Sequence, residues 1–148
     1  MLGERKRRFE RLLALRAREV EQKLVSLART QDQMRTTRLA LEAAQAELRR
    51  AAQAYRVPHG GSKTAEEFAS TGEWLRSRVN HVEQALSNQD KSKQRVALAQ
   101  KELVRAEKAK RQIEVLLERL AAEQLQQQNR QEQVEQDEMA AVFAARRT

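Results

Sequence analysis

Apolar residues recur every seven positions through the first third of the chain. With Leu13 assigned to heptad position d, that position is filled without a miss by Leu13, Val20, Leu27, Met34, Leu41, Leu48 and Tyr55. The a positions are mixed, with apolar Ala17, Leu24 and Ala52 and polar Gln31, Arg38 and Gln45. Such a repeat places one row of side chains along one side of an α-helix. It predicts a long helix with a narrow, partly polar seam.

The second half of the chain shows the same behaviour with a change of register. Its apolar residues are first Leu75, Val79, Val82, Leu86 and Val96, and then Ala99, Leu103, Ala106, Ile113, Leu117 and Leu120. The step of three from Val96 to Ala99 predicts a stammer, which would overwind a supercoil locally.

Residues that break helices are almost confined to one short stretch. The single proline and two of the four glycines stand between residues 58 and 61. In a helix interior, Gly costs about 1 and Pro about 3 kcal/mol relative to Ala. The chain is therefore predicted to form one helix over residues 4–56 and another over residues 64–145, joined by a link at residues 57–63.

The start of the second helix carries its own signal. Thr64 and Glu67 have the spacing of a capping box, in which each side chain satisfies a backbone N–H of the first turn. Because the link is short, the two helices should lie side by side and antiparallel. We expect residues 1–148 to form a single all-α domain, a long antiparallel two-helix coiled-coil hairpin whose C-terminal helix extends beyond the N-terminal one.

A reversal near residue 60 also predicts a register. Residue i should face roughly residue 120 − i, which places Leu41 near Val79 and Met34 near Leu86. The first helix would then end opposite a residue near 115, and roughly the last 25 residues of the second helix would project alone. That stretch is rich in glutamine, since 7 of residues 124–136 are Gln.

The composition argues against an enzyme, a metal site and a phosphate-binding loop. Ala, Glu, Lys, Leu and Arg make up 87 of the 148 residues, a share typical of long helices and unlike that of a globular enzyme. With no Cys and only His59 and His81, no zinc or thiol site can be assembled. The run from Gly60 to Thr64 lacks the first glycine and the preceding strand of a phosphate-binding loop. We expect no enzymatic activity, no metal and no cofactor.

The net charge of +8 is unevenly distributed. Residues 1–20 carry +4 and residues 91–120 carry +5, whereas residues 57–90 and 121–148 carry −2 each. Antiparallel pairing would bring the two basic segments to the same, open end of the hairpin. The cations singled out there are Arg5, Arg8, Arg11, Arg16, Lys108, Lys110 and Arg111. A basic band attracts acidic proteins, nucleic acids and anionic membranes, and charge alone does not choose among them.

Three of the five aromatic residues gather around the predicted reversal. They are Tyr55, Phe68 and Trp74, while Phe9 and Phe143 lie near the open end. Aromatic side chains concentrate binding energy at protein interfaces. They would equally serve to close the tip of the coiled coil over its link, and the sequence leaves both interpretations open.

The chain as a whole resembles the FliJ family of flagellar export proteins and their injectisome counterparts, the YscO-type proteins. The resemblance rests on its length, its single reversal, its basic opening helix from Arg8 to Arg16 (RFERLLALR), and the run QEQVEQDEM at residues 131–139 before Arg146 and Arg147. It implies a non-enzymatic, cytoplasmic stalk in a type III secretion apparatus, peripheral to the inner membrane. Such a stalk is a monomeric hairpin that links a hexameric secretion ATPase to the transmembrane export gate, and some members also bind export chaperones.

The resemblance also implies positions for the two contacts. By position, the surface that binds the cytoplasmic domain of the export gate maps onto Leu48, Tyr55, Trp74, Leu75, Val79 and Val82. A second aromatic residue of the family pattern falls on Ala51, and Trp74 or Leu75 stands where a phenylalanine is usual. The basic cations named above are then the candidate contact with the ATPase ring. No nucleic acid and no direct insertion into a membrane are expected.

Two other classes of function remain open on the residues alone. A generic scaffolding coiled coil would self-associate through its seam. A basic coiled coil that binds nucleic acid or a membrane surface would show weak, sequence-independent binding that disappears at moderate salt.

Overall fold

The fold consists of two long α-helices. The computed structural model describes residues 2–56 and 65–147. Helix α1 covers Leu2–Arg56 with 55 residues, and helix α2 covers Ala65–Arg147 with 83 residues; no strand occurs within these two ranges. The helices pack extensively against each other, so the prediction of an all-α helical hairpin is confirmed. The predicted link and the capping residue Thr64 lie outside the described residues.

The chain divides into two compact units. The terminal unit comprises Met1–Gln22 and Val104–Thr148, and the central unit comprises Lys23–Leu103. Each unit therefore combines a segment of α1 with a segment of α2. The single domain expected from the sequence stays a prediction.

Two ion pairs fix the register of the helices in the central unit. Lys23 Nζ donates to Glu102 Oε2 at 3.1 Å, and Arg78 Nη1 donates to Glu47 Oε2 at 2.7 Å. The residue numbers of each pair add up to 125. The predicted sum of about 120 was therefore wrong by roughly five residues, and Leu41 faces the region of Ala85 instead of Val79. Side-chain packing sets this register, whereas the sequence supplied only the approximate centre of the link.

The seam of α1 agrees with only one of its two predicted rows. The row from Leu13 to Leu48 is half-buried or buried throughout, with Leu41 only 7% exposed. The predicted companion row, four residues further on, was wrong at its four central positions, since Leu24 is 49% exposed and Gln31, Arg38 and Gln45 are exposed. Only Ala17 and Ala52, at the two ends of this row, are half-buried. The true companion row begins three residues after Leu13. Its members are half-buried or buried: Arg16, Lys23, Thr30, Thr37, Ala44 and Ala51.

Polar side chains in this companion row have partners, either within α1 or on α2. Thr30 and Thr37 donate their hydroxyl protons to backbone carbonyl oxygens three residues earlier, at 2.8 and 2.9 Å. Arg16 pairs with Glu19 at 3.0 Å within the same helix, and Lys23 reaches Glu102. Long cationic side chains can cover a seam with their aliphatic stems while their charged ends stay solvated. A row that looks polar in the sequence therefore still packs between the helices.

The seam of α2 keeps one register without a stammer. Six buried residues follow one another at intervals of seven: Ala85, Ser92, Ala99, Ala106, Ile113 and Leu120. Three residues before each of them lies a half-buried residue: Val82, Gln89, Val96, Leu103, Lys110 and Leu117. The predicted stammer between Val96 and Ala99 was wrong because these two residues belong to different rows of one regular heptad pattern. Val79 and Leu86, which suggested the other register, are 38% and 43% exposed.

Large and small side chains alternate across this seam. With the observed register, Leu41 comes to the level of Ala85, and Leu27 comes to the level of Ala99. Small residues on one helix let the partner helix approach closely, and the larger residues opposite fill the space. This complementarity explains why a chain with so few large apolar residues still buries Leu41.

Beyond Gln124, helix α2 is exposed on all sides. Every described residue from 125 to 147 is exposed, including Leu125 and Phe143, which are each 58% exposed. At a register near 125, the first described residue of α1 lies level with a residue near 123. The part of α2 without a partner therefore starts about eight residues later than the sequence suggested.

Cysteine crosslinking tests the corrected register. In the double variant Met34→Cys/Ser92→Cys, we expect a disulfide to form readily in mild oxidant, because a bond requires Cα atoms about 4.4–6.8 Å apart. The control is Met34→Cys/Leu86→Cys, the pair that the predicted register would have joined, and it should remain reduced. Non-reducing electrophoresis distinguishes the two, since the native chain has no Cys. Faster crosslinking of the control pair would contradict the corrected register.

Candidate interaction surfaces

Half of the residues assigned to export-gate binding lie in the seam. Leu48, Leu75 and Val82 are half-buried, and they occupy seam rows between α1 and α2 in the central unit. Ala51, at the position of an expected second aromatic residue, is fully buried. These side chains pack between the helices. Other side chains of the assigned set remain accessible to a partner.

The accessible side chains of this set are Tyr55, Trp74 and Val79. They are 41%, 45% and 38% exposed, respectively. Tyr55 makes an edge-to-face contact with Phe68, with ring centroids 6.4 Å apart and ring planes at 79°. Such pairs contribute about 0.5–1.5 kcal/mol beyond the area they bury. Phe68 is itself 49% exposed, so the pair holds two aromatic rings in place and leaves both accessible.

Trp74 and Val79 lie on opposite flanks of the seam. Trp74 directly precedes the seam residue Leu75, and Val79 directly follows the seam residue Arg78. At 3.6 residues per turn, Phe68 and Val79 share a face of α2 to within about 20°, whereas Trp74 is about 120° from Phe68. Leu86 lies on the same face as Phe68. One flat partner can therefore cover Phe68, Val79 and Leu86 together, but not Trp74 with them.

We call Tyr55, Phe68, Val79 and Leu86 the apolar strip of the central unit. Phe68 and Leu86 were not assigned to the site from the sequence. The signal that could have found them is their spacing, because residues 68, 75, 79 and 86 recur on one helix face, and Phe68 also stands in the heptad row of Leu75 and Val82. The exposed fraction of each residue could not be read from that spacing.

All seven cations assigned to the ATPase contact lie in the terminal unit. Four come from α1 and three from α2: Arg5, Arg8, Arg11, Arg16, Lys108, Lys110 and Arg111. The fold therefore places these seven cations in one compact unit, although residues 91–103 of the second basic segment belong to the central unit.

The seven cations differ in their availability. Arg16 bonds to Glu19 at 3.0 Å, Lys110 is half-buried 3.9 Å from Glu114, and Arg111 lies 3.2 Å from Glu114 and 3.4 Å from Glu118. The remaining four are exposed, and within residues 2–56 and 65–147 they form no ion pair: Arg5, Arg8, Arg11 and Lys108. Uncompensated positive charge is thus concentrated at the start of α1.

A comparison with known families decides the class of the protein. The model of the flagellar FliJ protein family matches residues 5–148. The chain belongs to the FliJ family. Neither the curated proteins nor the solved structures gave a match.

Membership of the FliJ family makes the chain a component of the flagellar export apparatus, a type III secretion system. The family is a non-catalytic part of that apparatus. Within residues 2–56 and 65–147, no group of three or more His, Cys, Asp or Glu side chains is arranged to hold a metal ion. Neither described helix contains a stretch long and apolar enough to cross a membrane.

Proposed function

We propose that this FliJ-family chain is the central stalk that connects the hexameric export ATPase to the cytoplasmic domain of the export gate. The observation that supports it best is the chemical difference between the two units. Within the described residues, three of the four exposed aromatic side chains lie in the central unit, whereas the cluster of cations at residues 5–8 and 11 lies in the terminal unit. A connecting protein needs two separate surfaces that do not compete for the same partner.

The ring contact is assigned to the terminal unit. Arg5, Arg8 and Arg11 lie three residues apart, so their side chains wind from one flank of α1 to its outward face. Guanidinium groups without a carboxylate partner in their own chain favour an acidic surface on another protein. Arg16, Lys110 and Arg111 already have carboxylates nearby and contribute less.

The gate contact is assigned to the apolar strip of the central unit. Interfaces depend on a few large side chains that lose contact with water, and aromatic residues are prominent among them. Phe68 and Tyr55 form one end of the strip, and Val79 and Leu86 extend it along α2. The chain then works in the cytoplasm, at the inner-membrane face of the export apparatus. Export chaperones are further proposed partners, to which no residues are assigned.

Charge reversal tests the ring contact. The variant Arg5→Glu/Arg8→Glu/Arg11→Glu should bind the purified ATPase at least about tenfold more weakly at low salt, since it replaces attraction by repulsion. The loss should shrink in about 1 M salt, where the Debye length falls to about 3 Å. Biolayer interferometry at two salt concentrations measures both effects.

The matched control reverses three exposed arginines of α1 in the central unit. The variant Arg29→Glu/Arg38→Glu/Arg49→Glu changes the net charge by the same amount and should retain binding within about threefold. Equal losses in both variants would show that net charge alone attracts the ATPase, and the assigned contact would be wrong.

Light scattering separates the stalk from a generic dimerising scaffold. Up to Gln124, the seam rows of each helix pack against the other helix, so this part of the seam is already occupied and not available to a second copy. We expect a single species with the mass of one chain, 17.1 kDa. A stable species of twice this mass at micromolar concentration would favour the scaffold.

A further inference from the structure

Helix α2 carries a groove on its outward face in the terminal unit. The groove has a volume of ≈ 570 Å³ and is lined by Lys108, Arg111, Gln112, Val115, Leu116 and Arg119. None of these residues belongs to the two seam rows of α2, which in this segment are occupied by Lys110, Ile113, Leu117 and Leu120. The groove is therefore distinct from the packing between the two helices.

The floor of the groove is apolar. Val115 is half-buried and Leu116 is 36% exposed, although both lie outside the seam. The outward face of a two-helix coiled coil is ordinarily polar, because only the inward rows are shielded from water. Two adjacent aliphatic residues framed by longer basic side chains form a site that can take up an apolar side chain from a partner.

Unpaired cations mark both ends of the groove. Lys108 and Arg119 are exposed, and neither has an ion pair among the residues that the structure describes. They lie on nearly the same face of α2, about 16 Å apart along its axis at 1.5 Å per residue. Arg111 differs from them, because Glu114 and Glu118 lie within 3.4 Å of its guanidinium. An apolar floor thus lies between two unpaired cations, one at each end of the groove.

We propose that this groove binds an acidic amphipathic helix of another protein. Such a helix would present carboxylates at positions i and i+11, which match the spacing of Lys108 and Arg119, and apolar residues at i+4 and i+7, which pack on Val115 and Leu116. Ridges of side chains at these spacings fit the grooves of a facing helix. Complementary charge at both ends fixes the position of the partner along α2, and the apolar floor supplies the contact that salt does not screen.

A second copy of this chain does not fit the groove equally well. Its acidic segment is the exposed end of α2, where Glu132, Glu135, Asp137 and Glu138 occur without a basic residue between them. On a continuous helix, Glu132, Glu135 and Glu138 lie about 100–160° around the axis from Val115, and Asp137 lies about 40° from it. The groove and most of the acidic end of one chain therefore face different sides of α2. Two copies related by a two-fold axis would bring few of these carboxylates to Lys108 and Arg119.

The proposal goes beyond the stalk function and does not depend on it. The ring contact is assigned to Arg5, Arg8 and Arg11 on α1, whereas the groove belongs to α2 alone. Lys108 and Arg111, which the resemblance had also placed in the ATPase contact, line the groove. The two can therefore fail separately, provided that binding to the ATPase and binding in the groove are measured on the same variants.

A synthetic peptide serves as the probe. It is an end-blocked, alanine-based helix with Glu at positions i and i+11 and Leu at i+4 and i+7, carries a fluorophore, and has a scrambled peptide of the same composition as its control. Fluorescence anisotropy with the full chain should show saturable binding of the patterned peptide, and at least about tenfold weaker binding of the scrambled one. Equal binding of both peptides would overturn the proposal.

Two groove variants and one charge-matched control locate the site. Lys108→Glu/Arg119→Glu and Val115→Gln/Leu116→Gln should each weaken peptide binding at least about fivefold, whereas Lys101→Glu/Arg105→Glu should retain it within about twofold. Circular dichroism verifies that all three remain helical. Equal losses in the two charge variants would show non-specific attraction and overturn the proposal. Self-association of the native chain that Lys108→Glu/Arg119→Glu abolishes would assign the groove to a second copy and overturn it as well.

Discussion

Replacing Leu41 by alanine is expected to lower the free energy of unfolding by about 3 kcal/mol. The side chain is 7% exposed and lies at the level of small residues of α2, so the truncation leaves a cavity that the two helices cannot easily close. For a chain of this size, the loss corresponds to a decrease of about 6–12 °C in melting temperature. Chemical denaturation followed by circular dichroism measures the free energy directly.

The chain provides a matched control only two residues away. Leu39 is 55% exposed, and Leu39→Ala should change the free energy of unfolding by no more than about 0.5 kcal/mol. In the terminal unit, Ile113→Ala and Val104→Ala form the same contrast, with exposed fractions of 8% and 47%. A loss for Leu39→Ala as large as that for Leu41→Ala would contradict the placement of Leu41 in the seam.

Removal of the apolar strip is expected to abolish gate binding. Phe68→Ala/Val79→Ala should reduce affinity for the cytoplasmic domain of the export gate by about 100-fold or more, because two central interface side chains commonly contribute about 3 kcal/mol. Alanine favours helix at both positions, so circular dichroism should be unchanged. Isothermal titration calorimetry gives the affinity.

Trp74 is the critical comparison for this experiment. It is the largest exposed side chain near the strip, and it lies on the other flank of the seam. Trp74→Ala should therefore alter the affinity by less than about threefold. If Trp74→Ala weakens gate binding as much as the double variant does, the gate contacts the opposite flank and the apolar strip is assigned wrongly.

The broad architecture could be predicted because it depends on single residue types. Pro58 and its neighbouring glycines divide the chain, and the Leu13 row identifies the seam of α1 from its period alone. The companion row was harder, because Lys23 and Thr30 are polar in the sequence and reach the seam only through partners that folding supplies. Periodicity reports which residues share a face, but it does not report which polar groups find a partner.

Register and exposure required the structure for a related reason. The two interhelical ion pairs have the same sum of residue numbers, and that sum follows from how large side chains on α1 meet alanines and a serine on α2. No local signal encodes this fit, since the residues of the two ion pairs are 79 and 31 positions apart. The gate surface could not be read from the sequence for the same reason. The family pattern placed Trp74 and Val79 in one surface, whereas in the structure the seam lies between them.

We propose that one chain holds the ATPase and the gate at the same time through two separate surfaces. The most direct test is a bridging capture experiment with immobilised ATPase, this chain and the cytoplasmic domain of the gate. We expect the gate domain to be retained only when the chain is present, and retention to be lost with either Arg5→Glu/Arg8→Glu/Arg11→Glu or Phe68→Ala/Val79→Ala. Displacement of the ATPase by the gate domain, or retention that survives both variants, would contradict it.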